Sequence, residues 1–397
     1  MELNAEQTSA VELAQWCAAA PRRIGVVSGP AGSGKTTCLR QIHEALKGNV
    51  VLAPTNRAAS RAQQASGHPA QTIHSYIYTP YQNDDTVRFR RRIGISRPKS
   101  GLIVVDESSM LGQDILLDLW TLLSELDVSF LFIGDSYQLP PFSTTEVDGE
   151  LEFSVFNETF DRFVSDDNSI ELRRVALTSV MRQALESPVL RGATHISANM
   201  HDWEAVLSVI ESREYPKVGN VPIRLNAMRE DAIDHACIVY TNETRHRLNR
   251  ETRALRGLDS TAEPQPGEPL LVRRNCRKLG ISNGEIITFD GFMLNEPVGM
   301  PKGWRFTKVN GISALLSMDE ILRNIAPDPT QLRGLRWPFI QANLGYAMTC
   351  HAAQGSEFDW VVLYWDRSIL GMPMPYRSRW LYTAFSRAKE KLMIGGL

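Results

Sequence analysis

Long apolar runs, paired cysteines and a secretory leader are all missing from this sequence of 397 residues. No run of about eighteen apolar residues occurs, so we expect no membrane-spanning helix. The five cysteines lie far apart without a CxxC pair, which argues against a zinc site or a disulfide framework and favours a reducing cytoplasm. The acidic, amphipathic N-terminus lacks the basic and apolar regions of a signal peptide, so we expect a cytoplasmic protein.

Positive charge is not in excess either, because the formal net charge is −2. A nucleic-acid-binding chain of this kind needs its basic residues concentrated locally. The densest basic run is Arg88-Phe-Arg-Arg-Arg92, and it continues to Arg97 and Lys99. Such a run is also typical of a solvated loop, so composition alone leaves both interpretations open.

Short apolar runs alternate with helical stretches in the first part of the chain, whose length suits two domains. An amphipathic helix is predicted at Ala5–Ala19. The predicted strands are Ile24–Ser28, Asn49–Ala53, Leu102–Val105 and Phe130–Ile133. This alternation predicts a parallel sheet with helices on both faces.

A second α/β block is predicted from three further apolar runs, Ala236–Thr241, Trp360–Tyr364 and Lys391–Ile394. Between residues 264 and 338 the chain changes to short β-rich runs punctuated by Gly, Pro and Asn, which predicts a small antiparallel barrel inserted into this block. A smaller insertion is expected at Tyr76–Ser100. Its polar tip and paired arms predict a β-hairpin.

A glycine-rich segment follows the first predicted strand and reads Gly29-Pro-Ala-Gly-Ser-Gly-Lys-Thr36. It matches the phosphate-loop pattern G-x-x-x-x-G-K-[ST] in the strand-then-helix context that the pattern requires. Lys35 is expected to reach the β- and γ-phosphates of ATP, and Thr36 to bind Mg²⁺. The backbone of the loop is expected to cradle the phosphates through Gly29, Ala31, Gly32, Ser33, Gly34 and Thr37. The alternative is a chance match in a glycine-rich turn.

Two further polar segments follow predicted strands at their carboxyl ends, where open α/β sheets bind ligands. Asp106 is suited to hold Mg²⁺ and Glu107 to accept a proton from an attacking water. Gln138, in the loop Gly134-Asp-Ser-Tyr-Gln-Leu-Pro-Pro141, is placed to sense the γ-phosphate. A surface acidic pair and an ordinary proline-terminated turn are the alternatives.

Taken in order, these segments resemble superfamily 1 helicases, and the resemblance continues along almost the whole chain. Leu3-Asn-Ala-Glu-Gln7 resembles the adenine-reading element. The other segments similar to helicase motifs are Ala53-Pro-Thr-Asn-Arg-Ala58, Thr72-Ile-His-Ser75, Val105-Asp-Glu-Ser-Ser109, Gly134–Pro141, Val180-Met-Arg-Gln183, Tyr240-Thr-Asn242, Thr349-Cys-His-Ala-Ala-Gln-Gly-Ser-Glu-Phe358 and Leu381-Tyr-Thr-Ala-Phe-Ser-Arg-Ala388.

The resemblance implies roles for particular residues. Gln7 would contact adenine, while Arg182 and Arg387 would reach the γ-phosphate from the second domain. Gly355 and Glu357 would also bind nucleotide. The residues implied in DNA binding are Pro54, Thr55, Asn56, Thr72, His74, Tyr76, Phe89, Thr241, Asn242, Thr349, His351 and Gln354. For the aromatic residues, a core or hinge role is the alternative.

The two insertions are similar to those of the RecD and Dda-like branch, which moves 5′ to 3′ on single-stranded DNA. This implies two RecA-like parallel-sheet domains, 1–75 with 101–175 and 176–263 with 338–397. The insertions would be a β-hairpin pin at 76–100 and an SH3-like β-barrel at 264–337. We therefore expect an ATP- and Mg²⁺-dependent monomeric DNA helicase that acts on single strands and forked duplexes in a bacterial or phage-infected cell.

Three alternatives remain open from sequence. A translocase that mainly displaces bound proteins would carry the same motifs, and so would an RNA helicase, because discrimination by the 2′-hydroxyl leaves no visible pattern. A small-molecule kinase or ATP-dependent switch would share the phosphate loop but would have no use for the strand-binding segments.

Overall fold

The structure is a computed structural model of the chain. It describes residues 3–83, 86–141, 154–181, 186–231, 234–259, 263–274, 276–294, 304–309, 312–318, 321 and 338–396. Within these ranges no helix has both the length and the apolar character needed to cross a membrane.

Helices and strands alternate through most of these ranges. Helices α1 to α12 are Ala5–Ala19, Lys35–Ala45, Asn56–Ser66, Ile73–Ile77, Gln113–Leu126, Glu158–Ser165, Pro188–Ala198, Trp203–Glu211, Val221–Glu230, Asn242–Leu255, Cys350–Ala353 and Tyr376–Phe385. Strands β1 to β19 are Arg23–Ser28, Val50–Ala53, Ala70–Thr72, Tyr78–Asn83, Thr86–Arg91, Leu102–Val105, Ser129–Gly134, Glu171–Ala176, Lys217–Val218, His235–Val239, Pro269–Val272, Ile286–Thr288, Trp304–Val309, Ile312–Ser317, Phe339–Ile340, Ala342–Leu344, Met348–Thr349, Phe358–Tyr364 and Ala388–Gly395.

The chain divides into two compact units, each built from separate stretches of sequence. Unit 1 comprises Met1–Thr79, Arg91–Ser212 and Met372–Ser386, and unit 2 comprises Pro80–Arg90, Arg213–Gly371 and Arg387–Leu397. The expected limit at 175 lies inside unit 1, and the one at 338 lies inside unit 2. Unit 1 extends past 175 and includes α12 because α12, far along the chain, packs against α7. The expected domain limits stay predictions.

Unit 1 contains a six-stranded sheet in the order β3-β2-β6-β7-β1-β8, and every pairing in it is parallel. The central strands β6 and β7 are buried on both faces, and their alternate residues enter two separate cores. Val105 and Phe132 belong to one core, while Val104 and Leu131 belong to the other. Helices therefore cover both faces, as the continuous apolar runs predict.

Strands β6, β7 and β1 are neighbours in this sheet. Because parallel strands end at the same edge, the loops that follow these three strands are brought together. Those loops hold the glycine-rich segment, the Asp106-Glu107 pair and the Asp135–Gln138 turn.

Unit 2 contains a second parallel sheet in the order β17-β10-β18-β19-β9. Its strands supply buried apolar residues such as Val239 and Val362 to a core beneath α9 and α10. The α/β fold with two parallel sheets is thus confirmed, and two of the predicted strands of this block begin two or three residues earlier than expected, as β18 and β19 do.

The two expected insertions are both β-structured in the described residues. Strands β4 and β5 form a two-stranded sheet. Within 264–337 and just after it, β12-β11-β16 and β13-β14-β15 form two three-stranded sheets that share one apolar core, to which Leu270, Leu316 and Leu344 contribute. Pairing is antiparallel except between β14 and β15. Their identities as a pin and an SH3-like barrel stay predictions.

Candidate functional site

The glycine-rich loop connects β1 to α2 at the carboxyl edge of the first sheet. Gly32 and Gly34 have φ values of 80° and 85°, which a residue with a Cβ rarely adopts. A Cβ on Gly34 would also lie 2.2 Å from Nε2 of Gln7. Within the described chain no side chain caps α2, so its first amides face outward. This arrangement of backbone donors at a helix N-terminus suits a phosphate group.

Lys35 follows this turn, and its ammonium group is held within the loop. Nζ donates to the carbonyls of Gly29 and Pro30 at 2.7 and 2.8 Å. It also lies 3.9 Å from Oδ2 of Asp135, and the Lys35 side chain is 17% exposed. An ammonium group has three donors. Two are used by the loop, and the Asp135 carboxylate is close to the third.

The acidic pair after β6 carries unfavourable charge in the absence of a cation. Exclusion of water and the neighbouring Glu107 charge raise the pKa of Asp106 to about 6. Glu107 adopts the left-handed φ of 52°, and its Oε1 lies 3.5 Å from Nη1 of Arg61. Its other oxygen, Oε2, is buried without a hydrogen-bond partner among the described residues.

This environment fits a divalent cation that is shared with phosphate. In the part of the chain that the structure describes, no group of three or more His, Cys, Asp or Glu side chains could hold a metal by itself. Mg²⁺ is commonly bound by one or two carboxylates together with substrate phosphates and water. Asp106 and the exposed Thr36, next to the phosphate loop, offer such a partial set of ligands.

Asp135 is a central residue of the site that the sequence analysis missed. It is fully buried, and burial raises the pKa of its carboxyl group. It accepts hydrogen bonds from the Tyr382 hydroxyl at 2.6 Å, the Tyr137 amide at 3.0 Å and Nε2 of Gln138 at 3.4 Å. Its position at the end of an apolar strand, like that of Asp106, was a usable signal. Gln138 lies on the same loop, and its buried Oε1 has no partner in the described structure.

One face of α12 packs on the loop after β7. Residues three and four positions apart share a helix face, and Arg379, Tyr382 and Thr383 follow this spacing. Nη1 of Arg379 donates to the Gln138 carbonyl at 3.3 Å, and Oγ1 of Thr383 accepts from the Leu139 amide at 2.8 Å. The Tyr382 hydroxyl also accepts from the Ala31 amide at 2.7 Å. Nothing in the sequence marked this contact between α12 and the phosphate loop.

Gln7 lies beside the loop, as expected for a residue near the nucleotide. Its Oε1 accepts from the Asn4 amide at 3.1 Å and its Nε2 donates to the Ser33 carbonyl at 3.3 Å. Arg182 lies outside the described residues. Its neighbour Met181 belongs to unit 1, and the Met181 amide donates to the Gly32 carbonyl at 3.1 Å. This motif was expected in the second α/β block.

Four threonines expected to contact DNA are all helix N-caps. Oγ1 of Thr55, Thr72 and Thr241 each accepts a backbone amide three residues later at 3.1 Å, and Thr349 does so at 3.4 Å. Thr55 and Thr72 open α3 and α4 in unit 1, while Thr241 and Thr349 open α10 and α11 in unit 2. Pro54 directly precedes the first of these caps. Asn56 and Asn242 are the first residues of α3 and α10.

The aromatic candidates separate into buried and exposed residues. Tyr76 is only 7% exposed and packs in a core of unit 1, which favours the core role that was its alternative to DNA binding. His74 is exposed, with its ring 5.2 Å from that of Tyr78. Phe89, in β5, is 55% exposed and available for contact.

The remaining candidates cluster in unit 2 around α11. Arg387 is 3% exposed, and its Nη1 donates to the Ser356 carbonyl at 3.1 Å, so it is not a surface ion pair. Its own carbonyl accepts from the Phe358 amide at 2.9 Å. Gly355 has a φ of 72°, and Gln354 and Glu357 lie on either side of Gly355 and Ser356. Burial lowers the pKa of His351, which favours the neutral form of its ring.

Comparison with known proteins shows which families the chain resembles. A model of the AAA domain matches residues 2–161, and a model of the UvrD-like helicase C-terminal domain matches residues 344–394. The ATP-dependent RecD2 DNA helicase of Deinococcus radiodurans is 26% identical over 95% of this chain. The chain is thus similar to superfamily 1 helicases of the Pif1 and RecD group. A further relative, the ATP-dependent DNA helicase dda of phage T4, is 31% identical over 30% of the chain.

Solved helicase structures share the fold. The Pif1 helicase from Bacteroides in complex with ADP-AlF3 and single-stranded DNA is 19% identical, with a TM-score of 0.58 over 99% of this chain and 92% of that one. Pif1 helicase from Candida albicans gives a TM-score of 0.51 at 16% identity, over 100% of this chain and 95% of that one. The chain spans 47% of the length of the RecD2 helicase and 28% of that of dda.

Proposed function

We propose that this protein is a superfamily 1 helicase, an ATP-driven motor that moves 5′ to 3′ on single-stranded DNA and separates the strands of a fork. The observation that best supports this proposal is the carboxyl edge of the unit 1 sheet, where the phosphate loop, Asp106-Glu107 and Asp135–Gln138 follow neighbouring strands. RecD2, dda and PIF1 relatives are named as ATP-dependent DNA helicases, which supports DNA over RNA.

At this edge, each residue has a chemical task that its surroundings support. Lys35 and the amides around Gly34 bind the phosphates, and Thr36 and Asp106 hold Mg²⁺, which neutralises charge on the phosphates when bound. Glu107 accepts the proton of the attacking water through its unpartnered Oε2. Oε1 of Gln138, also unpartnered among the described residues, receives a hydrogen bond from that water or senses the γ-phosphate environment.

The threonine-capped helices form the proposed grip on the strand. A capped N-terminus still exposes further backbone amides, and its dipole favours an anion such as a DNA phosphate. Two such ends occur in each unit, at Thr55 and Thr72 and at Thr241 and Thr349. Contacts of this kind hold the backbone without reading sequence. The exposed His74 and Phe89 are suited to stack on bases.

The remaining assignments complete the proposal. Arg182 and Arg387 stabilise charge on the γ-phosphate during transfer, Gly355 and Glu357 contribute to the nucleotide site, and Gln7 recognises adenine. His351, Gln354 and Asn242 contact the strand. The β4–β5 sheet is the pin, the strands of 264–337 belong to an SH3-like domain, and the protein acts as a monomer.

Two assays test the motor. ATP turnover should rise on addition of oligo(dT), and Lys35→Ala should abolish turnover while leaving the unfolding temperature unchanged. Turnover that is indifferent to the added strand would contradict a motor. A small-molecule kinase or switch would behave in that way.

Strand polarity and substrate are tested on forked duplexes. We expect unwinding of a fork with a 5′ tail and none with a 3′ tail alone. Unwinding only of the fork with a 3′ tail would show that the protein moves 3′ to 5′ instead. Matched forks with an RNA loading strand measure DNA preference, and a streptavidin-blocked strand measures protein displacement. Efficient displacement without unwinding would replace the helicase proposal by a translocase.

A further inference from the structure

Tyr382 links two parts of the site that come from distant regions of the sequence. Its hydroxyl accepts from the Ala31 amide of the phosphate loop at 2.7 Å and donates to Oδ2 of Asp135 at 2.6 Å. The residue is fully buried, so water cannot replace either contact. The hydroxyl therefore satisfies one donor and one acceptor that would otherwise be costly to bury.

Asp135 and Lys35 are close but do not form a tight ion pair. Nζ of Lys35 is 3.9 Å from Oδ2 of Asp135, whereas charge-assisted hydrogen bonds span about 2.7–2.9 Å. The same Oδ2 accepts the Tyr382 proton. A movement of about 1 Å would let the ammonium group bind this oxygen, because the loop carbonyls use only two of its three donors.

We propose that the Tyr382 hydroxyl is a positioning residue for the phosphate loop: it satisfies Asp135 and thereby keeps the Lys35 ammonium available for a phosphate ligand. A buried carboxylate that loses its shortest hydrogen bond seeks another donor, and the Lys35 ammonium group is close enough to supply one. An ammonium group bound by Asp135 and two loop carbonyls has no donor left for phosphate. Loss of the hydroxyl should therefore weaken nucleotide binding.

The position of Tyr382 on α12 gives this contact a further consequence. The helix approaches the loop after β7 through Arg379 and Thr383 as well, so displacement of α12 would remove the hydroxyl from Asp135. Asp135 would then bind Lys35, and the nucleotide would be held less tightly. Docking of α12 and retention of nucleotide are thus linked through a single oxygen atom.

The test measures binding of a fluorescent N-methylanthraniloyl ADP to the full chain; it rests on the proposed function in that the loop must bind nucleotide. Tyr382→Phe should weaken binding about tenfold, while Asp135→Asn should weaken it less than about twofold. In the Asp135→Asn background, where the competing charge is gone, Tyr382→Phe should have less than about a twofold effect. Tyr364→Phe, which removes a hydroxyl that accepts from Arg247 at 2.8 Å in unit 2, is the matched control and should leave binding unchanged.

The outcomes separate this inference from the proposed function. Equal weakening by Tyr382→Phe in both backgrounds would mean that the hydroxyl is merely structural, and unchanged binding would show that it has no such role. Asp135→Asn as damaging as Lys35→Ala would also overturn the inference, and this arm does not depend on the tyrosine variant folding. In each of these cases the unaltered chain still binds ADP; failure of that binding would overturn the proposed function as well.

Discussion

The surroundings of Asp106 disfavour the ionised form of its carboxyl group in the metal-free protein. Its pKa is raised from 3.8 to about 6 by exclusion of water and by the Glu107 charge. The folded state therefore binds a proton in a pH range where the unfolded chain has released it. Above about pH 6 the ionised carboxyl destabilises the metal-free fold, and the penalty is lost as pH falls toward 3.8.

Asp106→Asn should consequently stabilise the metal-free protein at pH 8, by about 1–3 kcal/mol from a shift of this size. The gain should shrink as pH falls through 6 toward 4, and ATP turnover should be abolished. Urea unfolding in EDTA at several pH values measures the effect. Asp167→Asn is the control with opposite sign, because hydrogen bonds from Ser169 lower the pKa of Asp167. A pH-independent gain would contradict the electrostatic explanation.

Individual residues were predictable from sequence where a local pattern defines them. Lys35 and Thr36 follow from the glycine-rich loop, and Asp106 follows from its place after an apolar strand. Tyr382 could not be found in this way, because its partners Ala31 and Asp135 are brought to it only by the packing of α12. The burial of Tyr76 could not be predicted either, because a buried and an exposed aromatic residue look alike in a single sequence.

The N-terminal turns of four helices form a recurring element of the proposed strand grip. A threonine cap contributes about 0.5–2 kcal/mol to a helix, so stability and DNA binding are mixed in any single alanine variant. Aspartate caps a helix as well as threonine does, but its negative charge repels a phosphate. These two substitutions separate the roles.

Thr55→Ala should lower stability by about 1 kcal/mol through loss of the cap to the Ala58 amide. Thr55→Asp should keep the stability but weaken binding of oligo(dT) about tenfold. The affinity should also depend less steeply on salt concentration, because fewer phosphate contacts remain. Thermal unfolding and fluorescence anisotropy measure the two quantities. An unchanged DNA affinity in Thr55→Asp would show that the strand does not contact the N-terminus of α3.

The connection between α10 and β11 depends on a buried ion pair. Nε of Arg253 lies 2.9 Å from Oε1 of Glu268, and both side chains are fully buried. The Tyr346 hydroxyl also donates to Glu268 at 2.9 Å, and the Gln265 amide does so at 2.7 Å. The pair thus joins α10 to both ends of the chain segment that forms the second insertion.

Arg253→Met should destabilise unit 2 by about 3–5 kcal/mol, because it leaves the Glu268 carboxylate buried without its cation. Arg253→Met/Glu268→Gln should recover much of this loss, since glutamine is neutral, its single carbonyl oxygen can accept from the Gln265 amide, and the Tyr346 hydroxyl can rotate to accept from its NH2 group. Urea unfolding of the three proteins measures the difference. A double variant no more stable than the single one would show that the arginine acts through packing.

Elements were predicted well where their own sequence determines them. The helix Ala5–Ala19 and the strand Leu102–Val105 have the expected bounds. The unit to which an element belongs was less predictable. Helices α7 and α8 follow the motif expected in the second block, yet they lie in unit 1, where α7 packs against α12. Such packing depends on surfaces from distant segments, which periodicity in one segment does not reveal.

At the scale of the whole molecule, the β4–β5 hairpin allows the proposed movement along a strand to be tested apart from the proposed unwinding. The arms of the β4–β5 hairpin meet at their base, where the Arg92 amide donates to the Ile77 carbonyl at 2.7 Å. Nη1 of Arg91 lies 2.8 Å from Oε1 of Glu125, and Nη2 of Arg92 donates to the Ser75 carbonyl at 2.8 Å, so this base is fastened to unit 1 independently of residues 80–90. The distal part can therefore be replaced without disturbing the base.

Replacing residues 80–90 by a short glycine-asparagine turn should preserve ATP turnover stimulated by oligo(dT), because the phosphate site and the capped helices are untouched. Unwinding of a fork with a 5′ tail should fall to background, since nothing would then hold the duplex strands apart. Phe89→Ala within the intact hairpin is the milder companion, and it should reduce unwinding while leaving turnover unchanged if this exposed ring contacts the fork. Loss of turnover together with unwinding would instead make the hairpin part of the motor, and retained unwinding would show that strands are separated at another surface.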